Sequence, residues 1–212
     1  MLSRPALALV LWWGTACAPR LQPLSGAPAP AVLPRAQLPP GHRHVVFQWQ
    51  LDDVELSTRG EGAARIAGPD SVRLDFFLAG GLGGGAAVLV GDELRLPPRG
   101  DELARKLVPP PPLLWAVLGR MAVPPQRDTV VRVDGDTLRA DIGNPVVWRL
   151  TFVRDSLRRL ERVENGRVIE SVDRTIDGRI RYRHQTSRRQ LDLVTTRSED
   201  VRAFDPAIWV FQ

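Results

Sequence analysis

Residues 71–96 read SVRLDFFLAGGLGGGAAVLVGDELRL. Val72, Leu74, Phe76 and Leu78 alternate with Arg73 and Asp75. An extended chain therefore turns an apolar edge one way and a charged edge the other, which is the period of a half-buried strand. Glycines follow, then an apolar run from Ala86 to Val90 that stops at Gly91-Asp92. The same alternation recurs downstream at Val130–Asp134, Thr137–Ile142, Val147–Val153, 157–163, 168–174, Arg179–His184 and 190–196. Between these runs sit Asp134-Gly135-Asp136, Glu164-Asn165-Gly166 and Asp177-Gly178. Gly and Asn supply the positive φ of tight hairpins, so the second half predicts an antiparallel meander.

The middle of the chain has a different period. Residues 101–107 (DELARKL) place acidic residues at the start of a run of helix formers, which suits the helix dipole. Four prolines at 109–112 interrupt it, and residues 113–121 (LLWAVLGRM) then predict a short apolar helix ending before Pro124-Pro125. Leu114, Trp115 and Leu118 are spaced to share one face of it. Strands, helices, then many strands is an α+β order, mostly antiparallel β, with helices covering one face of a curved sheet. The inward candidates are Trp49, Leu74, Phe76, Trp115, Leu118 and Trp148. They form either a packed core or, if the concave face is incompletely filled, the lining of a cavity for an apolar ligand.

The amino terminus reads as a targeting segment. Arg4 precedes the apolar run ALALVLWW from Ala6 to Trp13, and Gly14-Thr15-Ala16-Cys17 follows. This is the layout of a secretory signal, and the run is shorter than the roughly 20 apolar residues that span a bilayer. Small residues before a cysteine resemble a lipobox, where bacterial lipoproteins are cut and acylated, although Gly14 stands where Leu is usual. Ordinary cleavage at Ala16-Cys17-Ala18 is the competing reading. Cys17 is the one cysteine, so it has no internal disulfide partner. The expected organisation is a lipoprotein-type signal peptide over 1–16, a Pro/Ala-rich tether over 17–42 that lifts the domain off the membrane, and one folded domain over 43–212.

The formal charge is +5, carried by 29 basic residues of which Lys106 is the one lysine. They are strung singly along strands among acids, as in Arg158, Arg159, Glu161, Arg162 and Glu164. A nucleic-acid footprint clusters on one element or face, so no nucleic-acid partner is expected; weak attraction to anionic headgroups is.

Taken in order, the lipobox, the Pro-rich segment, SVRLDFFLAGGLGGGAAVLVGDELRL (71–96), DELARKLVPPPPLLWAVLGRM (101–121) and the closing strands resemble the outer-membrane lipoprotein-sorting superfamily of LolA/LolB-like proteins, in particular its membrane-anchored receptor branch. The resemblance covers nearly the whole mature chain and rests on the order of the pieces. It implies an incomplete antiparallel barrel capped by helices around an apolar cavity. It also implies an outer-membrane lipoprotein facing the periplasm that takes the acyl chains of lipoproteins from a periplasmic carrier protein. The family's exposed loop Leu falls on Leu82, within Gly81-Leu82-Gly83, where the family has Pro at the first position. That Leu82 is carried over as the membrane-insertion residue.

Other motifs lead nowhere catalytic. Gly81 to Ala86 matches a dinucleotide-binding glycine pattern, but such a loop must open a helix, and strand follows here. His42 and His44 lack accompanying Cys or carboxylate ligands. Adjacent acids such as Asp52-Asp53 point to opposite faces of a strand, and nothing sets their pKa values apart. The expectation is no enzyme, no cofactor and no metal. The alternative to a lipid binder is a non-catalytic envelope scaffold of the same fold with a filled interior.

Overall fold

The computed structural model describes residues 21–81, 83–98 and 102–211. Cys17, the signal peptide and Leu82 lie outside the described residues. A short strand β1 (Ala27–Ala29) is followed by the long pair β2 (Gly41–Asp52) and β3 (Ser57–Gly68), then β4 (Ser71–Leu78), β5 (Gly84–Val90) and β6 (Glu93–Arg95). Two helices come next, α1 (Glu102–Leu107) and α2 (Pro111–Leu118). The meander then runs β7 (Val130–Asp134), β8 (Thr137–Ile142), β9 (Val147–Val153), β10 (Ser156–Glu164), β11 (Arg167–Arg174), β12 (Arg179–His184) and β13 (Arg189–Val201). These strands make one 13-stranded sheet in the order β1-β7-β8-β9-β10-β11-β12-β13-β2-β3-β4-β5-β6, antiparallel at every step and unclosed.

Period-two alternation becomes a continuous apolar row because the strands pair in register. Directly opposed residues run from Ala29 through Val131, Ala140, Leu150, Leu160, Val172, Tyr182 and Leu191 to Leu51. All but Ala29 are buried. Cross-strand pairs of this kind are the unit of sheet stabilisation. The pairing of β13 with β2 joins the two halves of the chain.

Both helices pack on the sheet. α2 packs over β10, β11 and β12, and α1 over β5. The close approach of α1 explains a glycine in the run after β4: a Cβ on Gly85 would lie 3.0 Å from the Ala104 nitrogen. α2 begins two residues before its predicted start. Its first residue is Pro111, where the missing N–H has no intrahelical partner to lose. It ends at Gly119, whose φ of 92° lets its N–H donate back to the Ala116 carbonyl. The glycine-rich segment forms a single turn over Ala79–Gly81 and then strand β5, so no helix opens there.

The described part of the Pro/Ala-rich segment packs along the sheet. β1 pairs with β7, the Met121 N–H donates to the Ala36 carbonyl at 2.8 Å, and Leu38 is buried. The chain is already pinned at Leu21, whose N–H donates to the Gly166 carbonyl at 2.9 Å. Leu33 and Leu38, apolar residues spaced along this extended stretch, reach the core. At the other terminus Asp205 caps the turn Pro206–Trp209, and Arg73 of β4 holds it by donating to the Ile208 carbonyl at 2.9 Å.

Candidate functional site

Between the sheet and the helices lies an apolar hollow of about 200 Å³. Its floor is Val45 and Phe47 of β2, Ala64 and Ile66 of β3, and Leu74 and Phe76 of β4. Ile180 of β12 and Leu191 and Leu193 of β13 continue it, while Leu107, Leu114, Val117 and Leu118 of the helices form the roof. β3 contributes a small residue, Ala64, to the middle of the floor. Gly62 and Ala64 sit opposite Phe76 and Leu74, and the Phe47 ring lies where a Gly62 side chain would be, 2.3 Å from an added Cβ. Phe47 meets Phe76 edge-on, with centroids 5.7 Å apart.

Part of the wall is polar. Arg43, Arg174, Thr195 and Ser198 line the same hollow. Arg174 is opposed to Ile180 and faces inward, and its Nη1 donates to the Val117 carbonyl near the end of α2. A guanidinium at this position satisfies an otherwise orphan helix carbonyl and complements the helix dipole. Burial, and then the nearby Arg158 charge, lower the Arg174 pKa from the ordinary arginine value. Arg43 is held by Asp200 at 3.3 Å.

Of the six expected lining residues, Leu74, Phe76 and Leu118 border the hollow. The three tryptophans sit elsewhere. Trp49 is buried beside the hollow, donating to the Glu61 carbonyl at 2.9 Å and packing edge-on to Phe76. Trp115 is fully buried in α2, donates to the Gly91 carbonyl at 2.8 Å, and stacks under Arg120 at 4.3 Å. It does not touch Trp49 in a ring contact; it fastens α2 to the β5–β6 turn. Trp148 of β9 lies opposite Ile142 and Arg162, partly buried against the core. An indole buries well only where its N–H finds an acceptor, and that draws Trp49 and Trp115 to backbone carbonyls.

Sequence reading missed the inward polar groups. Parity along 168–174 puts Glu170, Val172 and Arg174 on one face, so the signal was available. Glu170 is 2 % exposed and accepts a hydrogen bond from the Tyr182 hydroxyl at 2.6 Å. The Arg162 Nε lies 2.8 Å from its other oxygen. Burial, and the hydrogen bond to Glu170, push the Tyr182 pKa up, so the phenol stays a donor. Among the described residues no group of three or more His, Cys, Asp or Glu side chains is placed to hold a metal ion, and no helix is long and apolar enough to cross a membrane. His42 packs against Phe204, and His44 Nδ1 lies 3.5 Å from a Glu199 oxygen.

No known family profile matches the chain, and no curated protein matches it in sequence. Solved structures do match in fold. A LolA superfamily protein from Nitrosomonas europaea aligns at a TM-score of 0.50 with 12% identity, over 83% of this chain and 93% of that one. An outer membrane lipoprotein-sorting protein domain from Vibrio parahaemolyticus aligns at 0.44 with 6% identity, over 80% and 89%. A DUF1329 family protein from Desulfovibrio piger aligns at 0.41 with 9% identity, over 81% and 90%.

Proposed function

From the fold, which is that of the LolA superfamily, and the apolar hollow under its helices, we propose that this chain is a lipid-binding envelope lipoprotein. In this reading it is exported, acylated on Cys17 and held at the outer membrane facing the periplasm. The unclosed sheet serves as an incomplete barrel with α1 and α2 as its cover. It takes an acyl chain of a lipoprotein or lipid and helps to receive or localise lipoproteins. A periplasmic carrier protein supplies the cargo, and Leu82 enters lipid during delivery.

The observation that carries the reading is the hollow. Each acyl methylene buried against its floor gains about 0.8 kcal/mol. Arg43 and Arg174, which line the hollow, are the cations available to an anionic or ester head of the chain. The volume of about 200 Å³ is smaller than the roughly 300–1,000 Å³ of ordinary ligand pockets, so the hollow admits part of one chain. The chemistry supports binding: among the described residues the hollow is bordered by apolar side chains, two arginines and the hydroxyls of Thr195 and Ser198, with no His, Cys, Asp or Glu beside them.

Titration of the purified protein with a fluorescent fatty acid tests this. Saturable binding that palmitate displaces is the expected result, together with co-purified acyl chains. Neither signal appearing would overturn the reading. The small volume favours one rival, a scaffold lipoprotein without a ligand, and that rival predicts the same negative outcome.

A further inference from the structure

Toward one rim of the sheet lie exposed apolar side chains, two in a turn and one near the end of a neighbouring strand. The β2–β3 turn presents Val54, 73% exposed, and Leu56, 38% exposed; Phe77, at the end of β4, is 55% exposed. β3 alone separates these two sites in the sheet. The turn is ordered, with the Asp53 N–H donating to the Leu56 carbonyl at 2.8 Å and the Glu55 N–H to Asp53. Its acids face two cations: Lys106 lies 3.5 Å from Asp53 and 3.2 Å from Glu55, and Arg189 lies 3.9 Å from Asp53. Registers from β2 through β13, β12 and β11 to β10 place the turns 185–188 and 164–167 on the same rim. Exposed Arg59, Arg167 and Arg188 stand along it, none in an ion pair among the described residues.

The amino-terminal segment reaches that rim too. Leu21 is pinned to Gly166 in the β10–β11 turn, and the Arg149 guanidinium holds the Gln22 carbonyl. Cys17 is four residues earlier. Four residues span at most about 14 Å. The β2–β3 turn is four strand spacings further along the sheet, about 20 Å.

We propose that this rim is the face laid against the bilayer, with Val54, Leu56 and Phe77 entering the interfacial region and Arg59, Arg167 and Arg188 meeting anionic headgroups. The occupant is a phospholipid surface, because a lipid on Cys17 would hold the Gly166 end within that short reach of the membrane. The inference rests on the acylation of Cys17 proposed above, and it adds an orientation and a second apolar contact on described residues of the β2–β3 turn and β4.

The test uses the lipidated chain in vesicles of phosphatidylethanolamine and phosphatidylglycerol. With the Cys17 thiol blocked by its lipid, Val54→Cys and Ile176→Cys each carry one environment-sensitive fluorophore; Ile176, 88% exposed, sits on the opposite rim. A label at 54 that is blue-shifted and quenched by spin-labelled lipid, with a label at 176 that stays water-like, is the expected outcome. Equal responses, a response at 176 alone, or none at either position overturns the proposal. In the Cys17→Ser chain, Val54→Ser/Leu56→Ser/Phe77→Ser lowers vesicle affinity by about 100-fold while fatty-acid binding is unchanged; an unchanged vesicle affinity also overturns it. Failure of the anchor itself reads out separately, as a free Cys17 thiol that accepts label in the unsubstituted chain.

Discussion

Ala64→Leu separates a hollow that binds from a hollow that is merely left over. Ala64 is 2 % exposed, lies between Val45 and Leu74 on the floor, and projects into the cavity. The substitution adds three carbons to an apolar space. Burying them contributes about 2.4 kcal/mol at about 0.8 kcal/mol per methylene, and the strain of inserting them into a packed interior costs about 1–3 kcal/mol. The two effects nearly cancel, so the midpoint of urea unfolding changes little. Ligand affinity has no such compensation. The added carbons exclude about three acyl methylenes, and the same 2.4 kcal/mol then appears as about a 50-fold weaker dissociation constant. Fluorescent fatty-acid titration and urea melts on one preparation measure both quantities. Full affinity in the variant, with stability also unchanged, would place the ligand elsewhere and refute the argument.

Three further outcomes follow from other parts of the molecule. Tyr182→Phe leaves Glu170 buried with one hydrogen bond fewer and costs about 1–3 kcal/mol in urea unfolding; a neutral result would mean the bond adds nothing. Burial raises the Glu161 pKa above its ordinary 4.5, with the neighbouring Arg159 and Arg149 opposing. The folded state thus holds that proton more tightly than the unfolded chain, and the stability it contributes is full below pH 4.5 and lost as pH rises through the raised value. Glu161→Gln therefore gains stability relative to the unsubstituted protein as pH rises, and a difference that is flat with pH in parallel melts would contradict this. Leu82→Glu leaves fatty-acid binding intact but reduces transfer of an acylated cargo to vesicles by about 10- to 150-fold if Leu82 enters lipid as proposed, since a charge then replaces a leucine whose burial gains about 1.5–3 kcal/mol.

Much of the fold is legible in local period. Each strand of the second half lies within a residue or two of its predicted position, except that β13 continues to Val201. The turn residues occupy the turns, with Asn165 and Gly166 both at positive φ. Helix α1 starts one residue inside its predicted span, and only the position of α2 needed the rule that proline is welcome in a first turn. These features depend on side-chain spacing and backbone sterics within a few residues.

The sequence by itself determined which residues face the interior, because a strand's two faces alternate whatever it pairs with. That parity extends even to Glu170 and Arg174, whose inward charges were there to be read. Only the tertiary structure decided that β13 pairs with β2, that β1 adds to β7, and that a Pro-rich leader lies on the sheet. Those contacts join residues far apart in the chain, and no local spacing encodes them. It also decided where the interior stays empty. A hollow is a mismatch of volumes between elements, here Ala64 beneath a short helix, and tryptophans that alternation alone would send into it went instead to carbonyls that could accept their N–H groups.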